Sequence, residues 1–158
     1  GSEDAVMRVL DVDTAKLLPD TIDRARHAEP RWRADGNSFF YRRNPKVPSG
    51  TATAAKYQGS RDYLHVLGSA PDNDIAVFGY NVSPYASLAS ADSPYVILWP
   101  GCSYVFGLVQ HGTSNDLTVY IAPLATVDGA KTPSAFRQFV YERAFTALPA
   151  AGVQQAQP

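Results

Sequence analysis

The sequence predicts an all-β chain. Its apolar residues fall in short runs that alternate with polar ones or are continuously apolar, and Gly, Pro, Asn, Asp and Ser bound those runs. The same turn-then-strand pattern also recurs along the chain. From these features we expect an incomplete β-propeller of about two four-stranded antiparallel blades.

Val6 to Val12 alternates, with Val6, Arg8, Leu10 and Val12 on one face and Met7 and Val9 on the other. Asp13 to Lys16 reads as a turn, and Pro19-Asp20 ends the element. Ala34-Asp35-Gly36-Asn37 supplies tight-turn chemistry, Gly36 being free to take a positive φ. Ser38 to Tyr41 then reads as a strand buried on both faces. Asn44 to Ser60 is a long surface loop carrying Pro45, Pro48, Gly50 and Gly59. Tyr63 to Leu67 and Ile75 to Phe78 form a hairpin across Pro71-Asp72-Asn73-Asp74. Ala91 to Pro94 turns into the buried strand Tyr95 to Trp99. Tyr104 to Val109 follows, then a loop at His111 to Asp116. Leu117 to Ile121 alternates and Pro123 breaks it. Ser134 to Ala144 fits either a helix, with Phe136, Phe139, Val140 and Arg143 on one face, or an outer strand.

The recurrences set the architecture. Asp35 and Asp92, 57 positions apart, each head a turn into an aromatic-rich strand, and Asp13 and Asp128 each sit in an Asp-x-Ala-Lys turn. Propeller blades repeat at roughly 40–50 residues, and removing the long Asn44–Ser60 loop brings the spacing into that range. Residues 1–148 thus read as a blade remnant, one complete blade and most of another, and the Ala/Gln/Pro-rich 149–158 as a disordered tail. A blade buries its faces only against neighbours, so exposed apolar faces and self-association are expected.

With 158 residues, 45% of them hydrophobic, one domain with a sizeable core is expected. Charged residues are only 18%, below the usual share of about a quarter, which suggests surface meant to be covered. Net charge is −1 and the Lys and Arg are scattered along the sequence, so no nucleic-acid partner is expected. No apolar run approaches the ~20 residues of a membrane helix, so no membrane partner is expected either. Gly1-Ser2 reads as an added cloning remnant, so the native start and any targeting segment lie outside the reading. The compartment fits cytoplasm or periplasm alike.

Chemistry-bearing patterns are sparse. The nucleophile elbow Gly-x-Ser-x-Gly does not occur, and no residue is assigned a catalytic role. Neither a cofactor nor a metal is expected, because His27, His65 and His111 lack ligand spacing and the glycines are dispersed. His65, alternating with Tyr63 and Leu67, reads as a packed, hydrogen-bonded structural histidine, and His111 as a solvated loop residue. The lone Cys102 reads as a small buried apolar residue rather than a reactive thiol. Asp72 and Asp74 flank Asn73 as turn caps, since the later ligands of a calcium loop are missing. Trp32 and Trp99 read as core residues.

Three ordered stretches carry a resemblance. The first is Leu10 to Asp20, with Ala15-Lys16-Leu17-Leu18-Pro19-Asp20 at its end. The second runs from Trp32 through Asp35-Gly36 to Phe39-Phe40-Tyr41. The third is Tyr63-Leu64-His65-Val66-Leu67-Gly68-Ser69 with Asp74 downstream. Together they resemble the propeller of the prolyl oligopeptidase family of serine peptidases, over roughly Val6 to Asp128. Past that the match fades, and Phe136 stands near where the family usually has Trp. The resemblance implies a parent with an α/β-hydrolase domain that cleaves short peptides after proline, and a propeller that restricts access to the catalytic cavity. The peptide substrate would be bound through that other domain. The innermost strand of the complete blade should face the central tunnel, which makes His27, Glu29 and Arg31 the candidate tunnel-lining residues. The alternative is a stand-alone β-propeller or β-sandwich binding module presenting loops such as Asn44–Ser60.

Overall fold

Short hydrogen-bonded turns reverse the chain and bring its apolar runs side by side. The computed structural model describes residues 5–127 and 136–142, which hold ten strands, three short 3-10 turns and no α-helix. Strands β1 (Met7–Asp11) and β2 (Lys16–Ile22) form a two-stranded antiparallel sheet. Strands β3 (Arg31–Trp32), β4 (Ser38–Arg43), β5 (Arg61–Val66) and β6 (Ile75–Gly79) form a four-stranded meander. Strands β7 (Ser93–Ile97), β8 (Tyr104–Gln110), β9 (Leu117–Pro123) and β10 (Arg137–Glu142) form a second one. Neighbours in each sheet are neighbours in the chain and all pairs are antiparallel, as in propeller blades.

The aspartates at the turns do what short acceptor side chains do. Asp11 Oδ1 accepts the N–H groups of Asp13 and Thr14 between β1 and β2. Asp35 Oδ1 accepts those of Asn37 (2.8 Å) and Ser38 (3.0 Å), with Gly36 at φ 66° between β3 and β4.

Several expectations change. Pro19-Asp20 does not end the second strand: β2 runs on to Ile22. Its pairing with β1 skips between Arg8–Thr21 and Leu10–Leu17, and this irregularity accommodates a proline that has no N–H to donate. The Asn44–Ser60 loop contains a 3-10 turn at Thr53–Tyr57. Of the two alternatives for Ser134 to Ala144, strand is the one formed at Arg137–Glu142. The Asp35–Asp92 echo does not mark equivalent positions. Asp35 lies in the turn after the first strand of its sheet, whereas Asp92 precedes the first strand of the next, so the structural repeat runs from Arg31 to Ser93. Asp128 and residues 149–158 lie outside the described residues.

Alternation along β4 directs its side chains to two cores. Phe39 and Tyr41 pack with Val9, Ile22, Ala25 and Ala28 against the β1–β2 sheet. Phe40 joins Leu64, Val77 and Phe78 against Val96, Val105, Val109, Tyr120 and Ala122 of the β7–β10 sheet. At this second seam Gly107 on β8 lies directly beneath the Phe78 ring, where a Cβ would stand 2.7 Å from the ring carbons. Sheets therefore flank β3–β6 on both faces.

The outermost faces remain apolar. On the β1–β2 sheet the cross-strand pair Leu10 and Leu17 is 53% and 59% exposed. On the far face of the last sheet, Tyr95, Ile97, Phe106, Leu108, Val119 and Ile121 sit in register as cross-strand neighbours and are only half-buried. A sheet face of this composition gains about 25 cal/mol for each Å² that a neighbour covers.

Candidate functional site

His27, Glu29 and Arg31 lie where the chain enters β3, the first strand of the four-stranded sheet. His27 and Glu29 are exposed, and both hold left-handed backbone conformations (φ 57° and 43°), as does Arg24 (φ 53°). Arg31 Nη2 pairs with Glu29 Oε2 at 3.1 Å. Arg26 Nε donates to His27 Nε2 at 3.2 Å. Glu29 and Arg31 thus form one ion pair at the head of β3, and His27 belongs with Arg26 beside it. Left-handed non-glycine residues cost on the order of 1–2 kcal/mol each, so three within six positions mark a segment held in place by its surroundings.

The most extensive polar network is buried at the β1–β2 seam. His65 on β5 is fully buried, with Nε2 2.9 Å from Asp20 Oδ1 on β2 and Nδ1 2.9 Å from Asp74 Oδ2. Tyr41 donates its hydroxyl to the same Asp74 oxygen at 2.7 Å, and Gly68 N–H donates to Asp20 Oδ1 at 2.6 Å. Burial works against the Asp20 charge, yet the Gly68 and His65 hydrogen bonds hold its carboxyl below the usual range. Burial raises the Asp74 carboxyl in spite of hydrogen bonds from Tyr41 and His65. Burial, with the carboxylate of Asp74, also raises the Tyr41 phenol strongly. Carboxylates occupy both ring nitrogens of His65, so neither is available to activate a nucleophile. This is the packed, hydrogen-bonded histidine that the Tyr63–His65–Leu67 alternation predicts. Its partners Asp20 and Tyr41, distant in sequence, left no local signal, but Asp74 stood in the same sequence stretch.

Arg43 extends this network at the edge of the sheet. It pairs with Asp23, donates to Asp72 Oδ1 at 3.0 Å and to the Pro71 carbonyl at 2.9 Å. Despite its burial, the Asp23 partner keeps its guanidinium more basic than usual. Asp72 and Asp74 are therefore not turn caps. The first pairs with arginine and the second with His65 and Tyr41.

At the other seam, Asp62 on β5 is buried against β7. Its Oδ1 accepts the Val96 N–H at 3.3 Å, and its Oδ2 has no protein partner. Burial pushes this carboxyl up to about 7.

The tryptophans depart from the core expectation. Trp32 and Trp99 are 46% and 52% exposed and, with Leu98 and Leu124, wall an open groove at one end of the two large sheets. Trp32 packs on Phe39 and Trp99 on Phe106, and each stands at a strand end rather than within a sheet. Cys102 is half-buried in the same groove. His111 is not a simple solvated residue: its ring lies 3.1 Å from Asp92 Oδ1 and 2.8 Å from Thr118 Oγ1. Among the described residues, no three His, Cys, Asp or Glu side chains are grouped to hold a metal ion.

The model for the prolyl oligopeptidase N-terminal β-propeller domain matches residues 1–133. Among solved structures, a prolyl endopeptidase is 25% identical, with a TM-score of 0.70 over 89% of this chain and 19% of its own. Prolyl oligopeptidase B from Galerina marginata bound to a 35mer hydrolysis and macrocyclization substrate is 17% identical, with a TM-score of 0.70 over 90% of this chain and 20% of its own. Oligopeptidase B from Leishmania major is 14% identical, with a TM-score of 0.59 over 90% of this chain and 17% of its own. The chain spans about a fifth of the length of these structures. A sequence match over most of the chain, on a fold of consecutive antiparallel meanders, shows that the chain belongs to the prolyl oligopeptidase family, as part of its N-terminal β-propeller domain.

Proposed function

We propose that this chain is a non-catalytic part of the propeller of a serine endopeptidase that cleaves short peptides after proline, and that the propeller gates access to the catalytic cavity. The observation that carries this reading is the pair of apolar faces at the two ends of the stack, Leu10 and Leu17 on one and the Phe106–Leu108–Val119–Ile121 cluster on the other. Faces of this kind fit a sheet stack continued by further blades into a ring. In such a ring β3 and β7, the first strands of their sheets, would be innermost, and Glu29 and Arg31 would line the tunnel mouth with His27 beside them. A pore of that kind admits extended chains and rejects folded ones on steric grounds alone. Bond cleavage would require the activated serine and oxyanion hole of a separate hydrolase domain.

The test uses the protein in its native host. A native mass several times the 17.1 kDa of this chain is expected, together with cleavage of proline-containing reporter peptides and rejection of folded proteins carrying the same sequence. A native mass equal to that of the chain replaces this reading with a stand-alone binding module. Equal rates on short and folded substrates overturn the gating role.

A further inference from the structure

We propose that β7 is a pH-operated joint, whose free edge is closed against the β3–β6 sheet while Asp62 carries a proton and is released when Asp62 gives that proton to solvent. The joint rests on the geometry of the seam. That it opens onto a substrate tunnel rests on the propeller reading above, in which β7 is an inner strand.

β7 is the terminal strand of its sheet, so one edge pairs with β8 and the other is free. The polar groups that meet this free edge come from β4 and β5. Asp62 Oδ1 accepts the Val96 N–H at 3.3 Å, and Arg42 Nη1 donates to the Pro94 carbonyl at 3.5 Å. Both bonds are longer than the usual length of about 2.9 Å. The remaining cohesion of the seam is the apolar cluster that contains Phe40, Leu64, Phe78 and Val96. A strand edge tethered by two long bonds is a place where local opening costs little.

One of the two tethers titrates where its charge is penalised. Asp62 stands directly opposite Arg42 on β4 and near Phe78 on β6. It is buried, and its Oδ2 has no protein partner. Arg42 and, on β3, Arg31 favour the carboxylate, while Glu29 disfavours it. Arg31 is shared with Glu29 at 3.1 Å, and Arg42 with the Pro94 carbonyl. Tyr95 of β7 is neutral, its phenol raised by burial and by Glu29. Burial outweighs the arginines and holds the Asp62 carboxyl at about 7.

With its proton, Asp62 is a neutral acid that still accepts the Val96 N–H. Without it, a carboxylate oxygen lacking a hydrogen bond is shut in the seam, and water solvates it only when β7 moves away. The closed seam therefore binds the proton more tightly than the open one. Closure is strongest below about pH 4, weakens by up to about tenfold for each pH unit above that, and levels off above about pH 7. His27 lines a recess with Arg42 and Ser93, and histidine is the other side chain that changes charge near neutrality, so its contribution has to be separated.

The test is hydrogen exchange of the Val96 amide on the full chain, corrected for intrinsic exchange and compared with the amides of the central strand β9. Opening at Val96 is expected to rise at least about tenfold from pH 5 to pH 7.5, and at pH 7.5 to exceed opening in β9 by at least about tenfold. Asp62→Asn, which keeps an oxygen for the Val96 N–H, is expected to reduce the pH change to less than about twofold. His27→Asn is expected to leave it as in wild type. A pH-independent Val96 amide, a pH change that survives in Asp62→Asn or disappears in His27→Asn, or opening at Val96 no faster than in β9 overturns the proposal. Cleavage of a proline-containing reporter peptide is measured separately on the native protein. Absence of cleavage overturns the peptidase reading and leaves the joint standing, whereas an unresponsive Val96 amide removes the joint and leaves the peptidase reading untouched.

Discussion

Where the β1–β2 sheet meets the β3–β6 sheet, a histidine, a tyrosine and two carboxyl groups bind one another across the seam; where β3–β6 meets β7–β10, the buried carboxyl of Asp62 has a single hydrogen bond, with Arg42 opposite it on β4. In the first seam Asp20, His65, Asp74 and Tyr41 form a chain of hydrogen bonds between 2.7 and 2.9 Å. In the second, Asp62 has one bond of 3.3 Å from Val96 N–H. Cohesion there comes from Phe40, Phe78, Val105, Val109 and Tyr120. A directional network fixes register and alignment. An apolar contact tolerates small sliding and depends on fit. The two seams should therefore fail differently.

The largest effect is expected at the polar seam. His65→Ala leaves the Asp20 and Asp74 carboxylates facing each other across a vacated site and should cost about 3–5 kcal/mol in urea unfolding. His65→Leu restores volume without donors and should be nearly as destabilising. If His65→Leu is close to wild type, the network is not what holds this seam.

Asp62 should give the next effect, and with the opposite sign. Its folded carboxyl titrates near 7 against 3.8 in the unfolded chain, so the folded state binds the proton more tightly. Asp62 therefore favours folding most below about pH 4, and that contribution falls as pH rises through about 7. Asp62→Asn keeps an oxygen for Val96 N–H and removes the titration. The variant should be more stable than wild type by roughly 2–4 kcal/mol at pH 8, with the difference shrinking towards pH 5. A constant difference across that range would show that the seam does not hold this carboxyl dry. Asp20 and Asp23, lowered on folding, act in the reverse sense, which is why the wild-type-minus-variant difference is the quantity to follow.

The third effect tests fit. Gly107→Ala drives a methyl into the buried Phe78 ring and should cost about 1–3 kcal/mol. Phe78→Leu should recover part of that loss in the double variant, because the two positions share one space.

The seams also differ in how far the sequence reveals them. Alternation in β1, the continuous apolar run of β4 and the Asp35-Gly36 turn are local signals, and they correctly place strands, a doubly buried strand and a hairpin. The Tyr63–His65–Leu67 alternation marks His65 as packed, because a histidine on a buried strand must find partners. What the sequence does not display is pairing across sheets. Asp20 and His65 are 45 positions apart, and Asp62 and Val96 are 34. Trp32 and Trp99 mislead because their bulk suggests burial while their positions at strand ends expose them.

The smallest expected effect on stability lies outside both seams, and it bears most directly on the ring. Leu17→Lys acts on an exposed side chain of the outer β1–β2 face, so the unfolding free energy of the isolated chain should change by no more than about 0.5 kcal/mol. Its effect on association should be clear. If this apolar face is built to be covered, the isolated chain will cover it with a second copy, and sedimentation should show a dimer that Leu17→Lys dissociates. In the intact protein the same substitution would place a charge between two blades, and there it should lower stability by more than in the isolated chain. Equal, negligible effects in both settings would mean that nothing covers the Leu10–Leu17 face, and that the stack ends where β1 and β2 end.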